Sequence, residues 1–177
     1  PPHQDAARGH RYVIRRAILM VAVVLSIASC DRSRDMPRSS DAPRIASFSP
    51  ALTAMAVSLG LESSLVGRSA FCRIDPSLPV VGDLHEVDYE RLVRLDPTHI
   101  LVQSRPDLVD PGLRELSTVR GWKLLASPLS GVEDIRTDYG AIPDHLFPVE
   151  SDDHRRCLAL VRAYTDRIDS ALSTRIP

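Results

Sequence analysis

From Arg44 onward, short apolar runs alternate with amphipathic stretches of helical period, and this alternation restricts the fold more than any other property of the chain. Arg44-Ile45-Ala46-Ser47-Phe48 reads as a strand. Ser49-Pro50 follows at once, with Ser suited to an N-cap and Pro to the first helical position. Leu52, Met55, Ala56 and Leu59 then mark one helical face, which Gly60 ends. The pattern recurs: Leu65-Val66-Gly67 and Val80-Val81 read as short strands, and Asp88 caps a helix bearing Tyr89, Leu92, Val93 and Leu95 that Pro97 stops. Ile100-Leu101-Val102 is a buried strand, and Asp110-Pro111 opens a helix with Leu113 and Leu116 inward and Gly121 behind it. Trp122 to Leu125 is the next strand, with Trp122 read as core. Ser130-Gly131-Val132-Glu133 has capping-box form and starts a helix with Val132, Ile135 and Tyr139 on one face. Strands alternating with helices of this length predict an α/β fold: a Rossmann-like, mainly parallel sheet flanked by helices.

A different element closes the chain. Ser151 to Ser173 reads as one long amphipathic helix, with Asp152 and Asp153 favouring its N-terminus and Cys157, Leu158, Val161, Tyr164, Ile168 and Leu172 as its apolar stripe. No strand returns after it, so the stripe is expected to form an exposed patch.

The N-terminus carries an address. Arg11, Arg15 and Arg16 precede an unbroken apolar run from Ala17 to Leu25, followed by Ser-Ile-Ala-Ser-Cys. A basic region, a short apolar stretch and small residues before a cut are the parts of a secretory signal peptide. The run falls short of the roughly 20 residues that span a bilayer. Ile27-Ala28-Ser29-Cys30 resembles a bacterial lipobox, which implies a signal peptide over residues 1–29 and lipidation of the Cys30 thiol. Acyl chains at ~0.8 kcal/mol per buried methylene would then make a durable membrane anchor. Residues 30–43 are polar and read as a flexible tether. Asp31 resembles the signal that keeps enteric lipoproteins in the inner membrane, so the expected location is the periplasm or cell surface, at the inner membrane.

Charge and motifs exclude several functions. The formal net charge is -1, and the four arginines and one aspartate of residues 1–29 leave -4 on the rest. A nucleic-acid partner would want a basic face. The sequence holds no Gly-x-Ser-x-Gly, no phosphate-cradling glycine loop and no two-histidine metal helix, so no enzyme is expected. His85, His99, His145 and His154 show no metal-ligand spacing, and neither a metal nor a cofactor is expected. Cys157 reads as core and Cys72 as a loop thiol, with their pairing left open.

The order and spacing of these pieces resemble a known family. The stretches are RIASFSPALTAMAVSLGLESSLVGRSAFCRIDP and LPVVGDLHEVDYERLVRLDPTHILVQ, continuing through Trp122-Lys123-Leu124-Leu125 and Ser130-Gly131-Val132-Glu133-Asp134-Ile135. They are similar to the N-terminal lobe of class III periplasmic binding proteins, which serve ABC importers of cobalamin, haem and ferric siderophores. The resemblance implies two α/β lobes joined by one long helix, with ligand held between them. Residues 44–147 would be the first lobe and 150–174 the connecting helix, with the second lobe absent from these 177 residues.

Ligands of such sheets lie beyond the carboxyl ends of the strands. The resemblance therefore implies ligand contacts from Ser49 and Pro50, from Phe71 and Arg73 beside Cys72, from Leu84 and His85 beside Glu86, and from Arg105 beside Gln103 and Ser104. Glu90 matches a surface glutamate that pairs with an arginine of the ABC permease. The partners implied are that permease, a cobalamin, haem or ferric siderophore ligand, and a membrane reached through the lipid anchor. The competing expectation is a one-lobe exported lipoprotein that acts as a protein-interaction module and binds no small molecule.

Overall fold

The computed structural model describes residues 42–83 and 85–175. The signal peptide, Cys30 and most of the tether lie outside the described residues, as does Leu84.

Among the described residues, five strands and five α-helices follow in the order the sequence predicts. They are β1 (Ile45–Ser47), α1 (Pro50–Ser58), β2 (Leu65–Ser69), β3 (Val80–Gly82), α2 (Tyr89–Leu95), β4 (His99–Gln103), α3 (Pro111–Arg120), β5 (Lys123–Ser127), α4 (Val132–Leu146) and α5 (Asp152–Arg175). Three helix starts are set by the expected caps. Ser49 accepts from the Leu52 N–H, Asp88 from Arg91 and Asp110 from Leu113, with Pro50 and Pro111 in the first turns of α1 and α3. Helix α4 departs from the expected box: its N-cap is Gly131, and the Ser130 N–H donates to Asp134 Oδ2 at 2.6 Å. Asp134 reaches back where Glu133 was expected to.

The strands form one parallel sheet in the order β3-β2-β1-β4-β5. The chain lays β1, β2 and β3 toward one edge, then crosses β1 to place β4 and β5 on the other. Its direction of travel therefore reverses between β1 and β4, where Ile45, Ala46 and Ser47 pair with His99, Ile100 and Leu101.

Alternate residues of β4 serve opposite faces, as the period of two requires. Leu101 packs with Leu52, Met55 and Leu59 of α1, Ile142 and Leu146 of α4, and Cys157 and Val161 of α5. Ile100 and Val102 pack on the other side with Leu92 of α2, Leu113 of α3 and Trp122. The result is three layers with helices on both faces. Pro43, placed in the tether by sequence, is already buried beside β1.

Helix α5 is not the free amphipathic rod that the sequence suggested. His154, Cys157 and Val161 are buried, and the Cys157 thiol points at the Leu59 carbonyl. Tyr164 stacks on Tyr139 with ring centroids 5.3 Å apart, Arg167 lies over Tyr164, and Arg136 of α4 pairs with Asp169. Of the stripe, Cys157 and Val161 are buried, Leu158, Tyr164 and Ile168 are half-buried, and Leu172 is exposed near its end. No described helix is long and apolar enough to cross a membrane.

Candidate functional site

Loops from β1 and β4 meet at the carboxyl ends of the strands, at the reversal of chain direction. Such a switch point leaves a crevice, because neighbouring connections depart to opposite faces. Ser49 is fully buried there, and its hydroxyl accepts the cap bond from Leu52 and lies 2.8 Å from Gln103 Oε1, to which it donates. One side chain thus starts α1 and fastens it to the end of β4.

Beneath it runs a chain of buried hydroxyls. Thr53 Oγ1 donates to Ser47 Oγ at 2.8 Å, and Ser47 Oγ donates to the Ser49 carbonyl at 3.2 Å. With Thr53's proton committed, the Cys72 thiol, 3.1 Å away, donates to Thr53 Oγ1. Cys72 lies in the loop between β2 and β3, as expected from sequence, but is a buried member of this network. Neither Cys72 nor Cys157 is in a disulfide.

The rim is built by the next loops. Phe71, after β2, is 66% exposed, an unusual placement for a phenyl ring. Arg73 is exposed and makes no ion pair among the described residues, and Pro50 is exposed beside the buried Ser49. Arg105, after β4, is exposed and grips Asp107 with two nitrogens at 3.1 and 2.9 Å.

After β3 the backbone turns at Gly82, whose φ is +133°. A Cβ there would lie 2.1 Å from the Glu86 carbonyl oxygen, so the turn carrying His85 requires glycine. Asp83 closes the turn by accepting from the N–H groups of His85 and Glu86, and these bonds hold its carboxyl below the usual range. A depression of about 50 Å³ gathers His85, Asp83, Ser104 and Asp110 over Phe48 and Val102. Phe71, Arg73 and Arg105 stand outside it.

Tyr89 ties α2 to α3 by donating to Asp110, the cap of α3. Burial, then the Asp110 bond, pushes the phenol up to about 12, while the same bond lowers the Asp110 carboxyl. Next along α2, Glu90 is 85% exposed and pairs with Arg94 one turn on.

Two larger depressions, of about 440 and 500 Å³, flank α3. We place the site at the strand ends because these grooves gather only Arg114, Asp107 and Glu115 as charged groups, around the outside of an edge. The first also reaches Trp122, at the amino end of β5, opposite the switch point.

Sequence reasoning passed over three features. Gln103 was named only as a neighbour of Arg105, although glutamine ending a buried strand at the switch point was a readable signal. Asp138 is buried on α4, accepts from Ser127 at the end of β5, and has its pKa raised by that burial. His154 accepts the Glu150 N–H at Nδ1, so its Nε2 carries the proton toward Asp144 at 2.7 Å. Among the described residues no three His, Cys, Asp or Glu side chains cluster as metal ligands would.

No protein-family model matches the sequence, and no curated protein matches it. Solved structures do. The periplasmic vitamin B12 binding protein BtuF of Vibrio cholerae is 23% identical with a TM-score of 0.57, over 73% of this chain and 49% of that one. The periplasmic heme binding protein HutB of the same organism gives 22% and 0.61, over 76% and 51%. IsdE of S. aureus, complexed with heme, gives 19% and 0.55, over 72% and 46%. The chain spans about half the length of these structures. Its parallel sheet, flanking helices and long last helix have the fold of the Rossmann-like lobe of class III periplasmic binding proteins.

Proposed function

We propose that this chain is the ligand-capturing lobe of a solute-binding lipoprotein of an ABC importer whose cargo is cobalamin, haem or a ferric siderophore. In this reading Cys30 carries the lipid, residues 31–42 tether the fold to the inner membrane on its periplasmic side, and Glu90 docks on the permease. The cargo lies across the carboxyl ends of the strands, against Phe71, with Pro50, His85, Arg73 and Arg105 around it. Ser49 shapes that surface from below, and Leu84 is proposed as a further contact to the cargo. The observation that carries the reading is the conjunction of fold and rim. A 66%-exposed phenyl ring and an arginine with no ion pair among the described residues stand at the strand ends where such a sheet receives ligand.

The depression of about 50 Å³ is small beside the ~300–1,000 Å³ of ordinary ligand pockets. A large planar or macrocyclic cargo is therefore expected to lie on this surface as on one wall, with a second wall completing the cleft. The same smallness favours the other reading, a one-lobe lipoprotein that binds a protein on this face.

Titration of the full-length protein decides between them. Haem is followed by its Soret band, and cyanocobalamin and ferric siderophores by equilibrium dialysis. Saturable binding of one cargo, weakened by Phe71→Ala, supports the importer component; no binding of any cargo supports the interaction module. Trp122 fluorescence is the wrong probe for ligand, because that ring is buried at the far end of the sheet.

A further inference from the structure

We infer that Gln103, turned by Ser49, is a specificity-determining residue that presents its amide N–H₂ to an oxygen acceptor of the bound solute; this rests on the proposed cargo-binding role of the strand ends.

The orientation follows from proton accounting at Ser49. Its hydroxyl is the N-cap of α1 and receives the Leu52 N–H at 3.3 Å. That leaves one hydroxyl proton to place inside a fully buried residue. The acceptor within reach among the described residues is Gln103 Oε1, at 2.8 Å. A buried hydroxyl proton without an acceptor is costly, so the carbonyl side of the glutamine is held toward Ser49 and the N–H₂ side away from it.

The Nε2 atom of Gln103 makes no hydrogen bond to any described residue, and it is not among the buried atoms that lack a partner. It therefore reaches solvent at the end of the central β1–β4 pair. This amide is half-buried and anchored at one end, with two donors at the other that meet no described residue. Such a group is pre-organised: it loses little freedom when a ligand carbonyl or carboxylate arrives.

The neighbourhood sharpens the preference. Arg73, on the loop after β2, makes no ion pair among the described residues, while the Arg105 guanidinium is already matched to Asp107. A solute with a peripheral carboxylate or carbonyl meets donors here.

The test uses an isosteric change. Gln103→Glu keeps an oxygen for the Ser49 proton but replaces the outward N–H₂ with a carboxylate oxygen, converting donor to acceptor. Gln103→Leu removes both. Ser49→Asp keeps an acceptor for the Leu52 N–H but has no proton to give, so it turns the Gln103 amide round. Wild type and variants are titrated in the full-length protein with haem, cyanocobalamin, a ferric catecholate and a ferric hydroxamate, with melting temperature measured alongside.

The expected result is that the cargo bound by wild type binds roughly tenfold more weakly to Gln103→Leu. Gln103→Glu is weaker again for a carboxylate-bearing cargo such as haem, and less affected for amide-rich cyanocobalamin. Ser49→Asp lowers the melting temperature, because it buries a carboxylate, and at a temperature where it is still folded it loses affinity for the same cargo. Equal binding by wild type, Gln103→Leu and Gln103→Glu overturns the inference and leaves the cargo-binding role standing. Failure of wild type to bind any of the four solutes overturns both.

Discussion

His99 and His145 meet edge to face with ring centroids 5.4 Å apart, near the amino end of the sheet and away from the candidate site. Each has a buried Nε2 without a partner, and His99 is 6% exposed. The charged groups facing the pair add no stabilisation for a proton, since Lys123 opposes one on either ring. Burial first, then its neighbour, lowers His99 from 6.5 to about 4, and burial lowers His145. The unfolded chain therefore takes up protons that the folded chain refuses. The contribution of His99 to stability is complete above about pH 6.5 and is lost as pH drops toward 4, on the order of 3 kcal/mol. Urea unfolding near neutrality and near pH 5 reads this difference, and His99→Leu is expected to flatten it. An unchanged pH slope in that variant would remove His99 from the account. A second residue-scale expectation concerns Gly82. Gly82→Ala forces a Cβ onto the Glu86 carbonyl and is expected to cost about 1–3 kcal/mol and to displace the His85 turn. Little of this was legible in sequence. A lone histidine in an apolar run does not reveal which ring it will face, and the turn chemistry of Gly82-Asp83 reads only as a loop. Ser49, in contrast, was readable as a cap because Ser-Pro before an apolar helical face has few other uses.

At the scale of elements, the strands and helices were legible wherever period and punctuation agreed. Asp88, Asp110-Pro111 and Gly121 mark ends that the structure keeps. One failure was a shift of one residue in a local cap, and another came where an apolar stripe was completed by tertiary contact. Helix α4 takes its reciprocal cap bond from Asp134 rather than Glu133. The α5 stripe was expected to be bare because sequence does not show that Cys157 and Val161 join the core cluster formed with Ile142 and Leu146 of α4. Burial of Val161 and Cys157 in that cluster makes α5 part of this fold in its own right. Val161→Ala is accordingly expected to destabilise the protein by about 1–2 kcal/mol through lost methyl burial. Leu172→Ala, at an exposed position, is expected to change stability by less than ~0.5 kcal/mol. Thermal unfolding followed by Trp122 fluorescence compares the two, since that ring is buried and senses folding. Equal effects would mean that α5 is held by something other than this seam.

On the scale of the whole molecule, the parallel sheet has two chemically different ends. The amino end holds the neutral histidine pair and Trp122; the carboxyl end holds Ser49, Gln103, the exposed Phe71 and loops of mixed charge. This polarity follows from topology, because every crossover delivers its loop and the next helix N-terminus to the same side. The placing of the candidate site at this end was therefore a consequence of seeing strands and helices alternate. Its depth was not legible, since the volume left between loops depends on side-chain packing that a single sequence does not display. The account's central claim is that cargo lies on the carboxyl ends of the strands. Hydrogen exchange of the full-length protein, with and without a saturating cargo, tests it most directly. The account predicts slowed exchange at residues 49–53, 70–73, 83–86 and 103–105, with none at the backbone of His99 and Trp122. Protection along α3 and the edge of β5 instead, with the strand ends unchanged, would contradict it and move the site to the grooves beside Arg114.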